Sequence, residues 1–327
     1  MNPLIDKKVL ITGGLGFIGS NLARRLVDFG NNVSVVDSLI PEYGGNLRNL
    51  HDLKDKIKID VTDIRDSYLV KDLIMGQDYI FNLAGQTSHL DSMENPFIDL
   101  DINAKAQLSI LEACRKHNPQ ARIVYASTRQ IYGRPKYLPV DEKHPLHPVD
   151  VNGINKIAGE QYHILYHEVY GIASSVLRLT NTYGPRMRIK DARQTFLGIW
   201  IKNLLLGKPI QVFGNGKQRR DYNFVDDVID ALILAATSIH SIGKSFNLGA
   251  PDPLNLEQTA KIMCNQIDGA CYEMIAFPED RKVIDVGDFI CDFSAFSSSF
   301  DWNPKITFEE GITKSIDFFR EELVYYL

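Results

Sequence analysis

Three glycines spaced by two residues, Gly13, Gly16 and Gly19, follow directly on the apolar run Val9-Leu10-Ile11. A helical pattern opens behind them, with Phe17, Leu22, Leu26 and Phe29 as its apolar positions. Glycines at these offsets permit a tight turn, let backbone approach a pyrophosphate, and let the helix pack closely on the strand. The first-turn N–H groups and the helix dipole then face the phosphates. The bare spacing is common in structural turns, and the strand before it and the helix after it give it meaning. A second strand pattern, Val33-Ser34-Val35-Val36, ends in Asp37, 24 positions after Gly13. A carboxylate there accepts hydrogen bonds from both hydroxyls of an adenosine ribose and repels a 2′-phosphate, so the pair points to NAD rather than NADP.

Further residues able to do chemistry close other strand patterns. Lys56–Val61 reads as a strand with Asp60 and Val61 at its carboxyl end, and Tyr79–Gly85 as a strand closing in Leu83, Ala84 and Gly85. Small side chains suit a strand end that a flat cofactor must pass. Arg122–Thr128 ends in the hydroxyls of Ser127 and Thr128, and Ser175–Thr180 is a sixth strand. Helical patterns separate these strands, including a run through Leu100, Ala104, Leu108, Leu111 and Cys114 behind Pro96, and one over 152–170 stopped by Gly171. Strands alternating with helices predict parallel βαβ units, whose ligands bind outside the carboxyl ends of the strands. The fold expected is α/β, a doubly wound parallel sheet of Rossmann type with a smaller mixed C-terminal lobe.

Bulk properties narrow the setting. The 327 residues carry 44% hydrophobic and 24% charged side chains, an ordinary composition for a globular protein. A net charge of −5 gives no reason to expect nucleic acid or an anionic membrane as partner. No apolar run nears the roughly 20 residues that span a bilayer. The first strand begins within about seven residues, too early to follow a secretion signal of 15–30 residues. Cys114, Cys264, Cys271 and Cys291 show no CxxC spacing, so the expected compartment is the cytoplasm.

The second half is less regular. Residues 43–53 and 134–149 read as loops, the first with a short helix and the second rich in proline. Past residue 180, Asn181-Thr182-Tyr183-Gly184-Pro185-Arg186 is turn chemistry, followed by basic residues (Arg186, Arg188, Lys190, Arg193). Helices are expected over 195–206, 225–237, 255–266 and 308–322, with a strand at 210–213. His163 and His167 stand four apart on one helix, but no glutamate lies between them in HExxH order, and no metal site is expected.

The motifs Thr12–Ser20, Ser127-Thr128, Asn181–Arg186, Arg220–Asp227 and Phe246-Asn247-Leu248-Gly249 resemble, in order, those of the extended short-chain dehydrogenases/reductases, in the branch of nucleotide-sugar epimerases and dehydratases. The resemblance implies that the glycines with Phe17 and Ile18 hold the NAD pyrophosphate, Asp37 the ribose, and Asp60 with Val61 the adenine. Leu83, Ala84 and Gly85 would line the middle of the cofactor, although the family more often shows two alanines there. Lys156 matches the lysine that grips the nicotinamide ribose. Asn181, Arg220 and Arg281 resemble residues that hold a nucleotide-sugar diphosphate. Arginine's planar fork suits that task, the alternative for Arg220 being an ion pair with Asp221 or Asp226.

One departure matters. The family's catalytic tyrosine stands four residues before the lysine, where the phenolate takes a proton from a sugar hydroxyl while hydride leaves to NAD. Here that position is Asn152, and an amide cannot act as a base. The dehydratases' acidic pair is also missing, since Arg129 and Gln130 follow Thr128. Three readings stay open: proton transfer by another group (Tyr132, Tyr183, Asp150 or His147), a relay through Thr128, Asn152 and water, or a protein that binds without turnover. The leading expectation is NAD-dependent epimerisation of a nucleotide-linked sugar, most simply at C4, through a transient 4-keto sugar, with Thr128, Asn152 and Lys156 at the reacting centre; the alternative enzyme is a nucleotide-sugar oxidoreductase that releases NADH. Residues 1–180, rejoined by 222–250, would form the NAD unit, and 181–221 with 251–327 the sugar-nucleotide lobe. Helices near 96–117 and 152–170 would, by resemblance, build a homodimer interface.

Overall fold

The computed structural model describes residues 4–327. Its centre is a seven-stranded sheet in which every pairing is parallel. Six strands come from residues before 180: β1 (Lys8–Thr12), β2 (Asn32–Asp37), β3 (Lys58–Val61), β4 (Tyr79–Asn82), β5 (Arg122–Thr128) and β6 (Ala173–Leu179). The seventh, Ser245–Leu248, returns from beyond residue 240 to pair with β6. The order across the sheet is β3-β2-β1-β4-β5-β6 and then Ser245–Leu248. The chain therefore winds outward from β1 in one direction and then restarts on its other side at β4. Between β1 and β4 the crossovers diverge and leave a crevice at the carboxyl ends. The α/β, doubly wound expectation holds.

Burial on both faces explains why the strands read as near-continuous apolar runs. Val9 and Ile11 of β1 join one core, with Val35, Phe81, Val124 and Leu177, while Leu10 between them joins a second, with Val36 and Ile80. That is the period of two expected for a strand covered on both sides. The helices before residue 180 are α1 (Phe17–Asp28), α2 (Ser67–Ile74), α3 (His89–Glu94), α4 (Pro96–Leu100), α5 (Ala106–His117) and α6 (Val151–Tyr170). Helices α2, α5 and α6 cover one face, and α1 with the helix Val225–Thr237 the other.

The core beneath α1 runs on without a break into the smaller lobe through Trp200, Ile201, Met263, Ile312 and Phe319. That lobe is mixed: helices Phe196–Leu205, Leu256–Cys264 and Phe308–Glu322 surround short strand pairs, such as Ile210–Phe213 with Tyr272–Ile275.

Some boundaries differ from expectation. The third strand begins at Lys58, and the fourth ends at Asn82, which leaves Leu83–Gly85 as a loop beyond it. The helix expected behind Pro96 runs on to His117 as predicted, with a wider turn at Asp101–Lys105 where α4 passes into α5.

Candidate active site

A cleft of about 930 Å³ opens at the carboxyl ends of the strands, between the sheet and the smaller lobe. At its floor, Gly13 turns the chain with φ +67°, and a Cβ there would lie 2.9 Å from the Ala84 backbone. A Cβ on Gly19 would overlap the Gly13 carbonyl oxygen, so α1 can start this close to the loop only with glycine there. Gly16 is the N-cap of α1 and offers no side-chain oxygen, so the first-turn N–H groups lack a protein cap. With Phe17 and Ile18, these glycines line the cleft. Asp37, also in the lining, accepts N–H bonds from Leu15 (3.1 Å) and Leu39 (3.0 Å). It thereby pins the glycine loop and keeps lone pairs for further donors. Burial raises its pKa, opposed by those N–H groups and that of Gly16. An uncapped helix start, a glycine cradle and an acid at the end of β2 fit a bound dinucleotide.

Asp60 and Val61 do not reach this wall. Val61, 59% exposed, ends the sheet's edge strand, and Asp60 pairs with the Thr62 hydroxyl. The chain turns inward only afterwards, so Asp63 and Ile64 line the cleft in their place.

At the switch point, the Thr12 hydroxyl accepts from the N–H groups of Leu83 and Ala84, both at 3.1 Å, and donates to Asn82 Oδ1 at 2.9 Å. This clamp places Leu83, Ala84 and Gly85 in the cleft wall. Gly85 faces Lys156, whose Nζ would lie 2.9 Å from a Cβ there. Lys156 Nζ donates to the Ala126 carbonyl at 3.2 Å, and burial pushes its pKa down to about 8 against the attraction of Asp99. Thr128 stands at the end of β5, its hydroxyl accepting from Gln130 N–H at 3.2 Å. Asn152 also lines the cleft but is 2% exposed, with its amide nitrogen committed. That nitrogen donates to the Gln86 carbonyl (2.8 Å) and to Asp99 Oδ2 (3.0 Å), while Asn155 donates to Asp99 Oδ1 (2.8 Å).

The opposite wall is cationic. Asn181, Arg220 and Arg281 all line it. Asn181 Nδ2 donates to the Asp221 carbonyl at 2.9 Å. Arg220 is buried, held by the carbonyls of Arg219 and Gly287, with its charge 3.8 Å from Asp285 rather than against Asp221 or Asp226. Arg281 lies over the Phe213 ring at 5.6 Å. Sequence reasoning missed a third arginine on this wall. Arg129 bonds Asn181 Oδ1 at 3.5 Å through one nitrogen, while Nη1 is buried with no acceptor among the described residues. Burial, and then the like charge of Arg220, push its pKa down to about 10, which leaves it cationic at neutral pH. Its signal was available in the dipeptide after Thr128, where an absent acidic pair is also a present cation.

Of the other proton carriers considered, Tyr132 and Tyr183 lie in the core, outside the cleft lining, and burial raises both phenols well above their usual range. Tyr132 is bonded to Asn247 and Arg178, and Tyr183 to the carbonyls of Thr307 and Phe308. His147 is exposed and outside the lining. Asp150 is buried one contact behind the wall, and His89 on α3, unmarked by any motif, lies between it and the cleft. His163 and His167 serve the core: His163 stacks on Tyr125 at 4.4 Å, and His167 bonds the Ile172 carbonyl at 3.1 Å.

Residues 9–249, more than half the chain, match the model of the NAD dependent epimerase/dehydratase family. The chain is 32% identical over 342 aligned positions to CDP-paratose 2-epimerase of Salmonella typhi, covering 95% of this chain and 98% of that one. It is 30% identical over 323 to UDP-glucose 4-epimerase of Mycolicibacterium smegmatis, covering 96% and 99%. The crystal structure of UDP-glucose 4-epimerase with UDP-glucose from Thermotoga maritima superposes with a TM-score of 0.88 at 29% identity, covering 96% and 99%. With the glycine cradle, Asp37 and the parallel sheet all in their places, the chain belongs to the NAD-dependent epimerase/dehydratase family.

Proposed function

We propose that this protein is an enzyme that epimerises a nucleotide-linked hexose, most simply at C4, through a transient 4-keto sugar. One observation carries the reading: a dinucleotide cradle and a wall of three arginines face each other across a single cleft, with Thr128 and Lys156 between them. NAD, when bound, supplies a reversible acceptor of hydrogen with its electron pair. Gly13, Gly16, Phe17, Ile18 and Gly19 hold the cofactor's phosphates, Asp37 its ribose, and Leu83–Gly85 its middle. Lys156, charged below about pH 8, holds the nicotinamide ribose. Arg129, Arg220 and Arg281 with Asn181 neutralise the substrate diphosphate. Phe213 and Phe277, 5.6 Å apart, give the nucleobase an apolar slot. The cofactor unit is then residues 1–180 with 222–250, and the sugar-nucleotide lobe is 181–221 with 251–327. The setting is cytoplasmic, and the working form a homodimer.

A second reading, a protein that binds NAD and a sugar nucleotide without turnover, is favoured by the Asn152 amide being tied to Gln86 and Asp99. A panel of UDP-, GDP-, CDP- and dTDP-sugars, followed by proton NMR of the sugar ring, separates the two. Epimerisation of at least one member, UDP-hexoses first, is expected. Binding of several with conversion of none would replace the enzyme reading by the second.

A further inference from the structure

An epimerisation of this kind needs a side chain that takes a proton from a sugar hydroxyl, and neither Asn152 nor the two core tyrosines can be that group. Asp150 and His89 are arranged to do it. Asp150 is the N-cap of α6: Oδ1 accepts from Gly153 N–H at 2.7 Å, and Oδ2 accepts from Gln130 Nε2 at 3.2 Å. The same Oδ2 lies 2.9 Å from His89 Nδ1, within hydrogen-bond distance although bent from the ideal line. The Asp150 side chain is wholly buried, whereas that of His89 is 36% exposed. Because Nδ1 itself is buried, the exposed part of the ring is the edge away from Asp150, the Nε2 edge, and His89 lines the cleft. Ser92, one turn along α3, accepts from the Asn152 N–H at 3.2 Å. Helix α3 is thus tied to the first turn of α6 at two points, which holds His89 beside the position where the family's tyrosine is missing.

We propose that His89, oriented by Asp150, is the proton-transfer group of this enzyme, with Nε2 meeting the reacting sugar hydroxyl. The assignment rests on the epimerase reading. As the hydroxyl O–H bond breaks, its proton goes to Nε2 and its electron pair closes the C=O bond. The hydrogen on that carbon leaves with its bonding pair to NAD, and in the second half both return, the proton from Nε2 to oxygen. Asp150 is the positioning residue. Burial pushes its carboxyl up, but the His89 imidazole, Gly153 N–H and Gln130 amide outweigh that and hold it below the usual carboxylate range. An ionised partner beside Nδ1 favours the tautomer that leaves the Nε2 lone pair free to take a proton. Charged groups that share the cleft lining with His89 on neighbouring elements are Asp91 and Glu94 on α3, Lys156 on α6, and Arg193, which pairs with Asp91 at 3.0 Å; Asp99 on α4 lies behind Asn152.

His89→Gln and Asp150→Asn in the NAD-loaded protein test this, with a reacting sugar nucleotide from the panel. His89→Gln is expected to lower turnover roughly 10²–10⁴-fold, leave affinity for the sugar nucleotide unchanged, and abolish the limb of the pH–rate profile between about pH 5 and 8. Asp150→Asn is expected to move that limb, and the His89 ring titration followed by NMR, to lower pH. If the parent epimerises a sugar but His89→Gln keeps its rate and pH limb, the dyad is wrong and the epimerase reading stands. A His89 titration that Asp150→Asn leaves unmoved also overturns the orienting role. If the parent converts no sugar in the panel, the epimerase reading fails, and the assignment falls with it.

Discussion

Lys156 is a cation placed where charge is costly. Its ammonium is buried, has a single hydrogen-bond partner among the described residues, the Ala126 carbonyl, and lies 5.1 Å from the centre of the Tyr125 ring. Burial lowers its pKa from 10.5 to about 8, with Asp99 opposing. The sign of the linkage follows. Below about pH 8 both folded and unfolded chains carry the proton, and the desolvation penalty is fully present. From about 8 to 10.5 only the unfolded chain holds it, so this residue's contribution to stability rises with pH. Lys156→Met, which keeps the stem and removes the charge, should be more stable than the parent near neutrality. Its advantage should shrink as pH rises towards 10.5, and it should bind NAD more weakly. Thermal unfolding of both proteins across that range checks this, and a constant difference in Tm would count against it. What makes a residue readable in sequence is visible here too. Gly13 and Asp37 answer local demands, a left-handed turn and a strand end, that a short window of sequence expresses. Asp60 and Val61 were misplaced because the wall depends on where the chain turns after β3. Arg129 and His89 owe their roles to what other elements bring beside them, and neither sits in a motif.

Among the elements, α6 is bounded as its sequence suggests. Asp150 caps its start, and Gly171 ends it in a left-handed conformation with φ 72°. Its partner α4 was not separable from α5 by pattern, because the apolar spacing continues through the wider turn at Asp101–Lys105. That turn, however, begins two residues after Asp99, which takes the amides of Asn152 and Asn155 and so joins α4 to α6. The Asn152 side chain is therefore part of a buried joint. Asn152→Tyr, the change to the residue that the sequence resemblance leads one to expect there, must fit a larger ring into a 2% exposed position and removes a donor from Asp99 Oδ2. A cost of about 1–3 kcal/mol is expected from the lost bond and the overpacking. Denaturant unfolding measures the cost, and turnover on the same sugar panel is expected to fall. A variant as stable as the parent and faster than it would identify a degenerate site awaiting its tyrosine.

At the scale of the whole molecule, one surface is left without a cover. Phe97 (78% exposed), Ile98 and Leu100 project from α4, and Met93 from the end of α3. Beside them, α6 presents Ile154, Leu165 and Val169, whose spacings of eleven and four keep them on one helix face. These elements pack together, which brings their exposed apolar side chains to one region of the helix layer. Contiguous apolar surface of this kind on a globular protein marks an interaction site. A two-fold axis through it would bury the same patch on two copies, giving the self-complementary contact that a homodimer requires. Asp99 on α4 faces inward while its neighbours face outward, so the helix that would meet a second copy also anchors Asn152. Dimerisation would then hold the floor of the cleft as well as cover the patch. Phe97→Asp with Leu165→Asp places like charges at the axis, where they face their own copies at close range. The parent should sediment as a dimer and the double variant as a monomer, each read by analytical ultracentrifugation. Both changes lie outside the cleft lining, so the variant should still carry NAD, although with a lower melting temperature than the parent. A parent that sediments as a monomer at micromolar concentration would remove the homodimer from this account and leave the patch to a different partner.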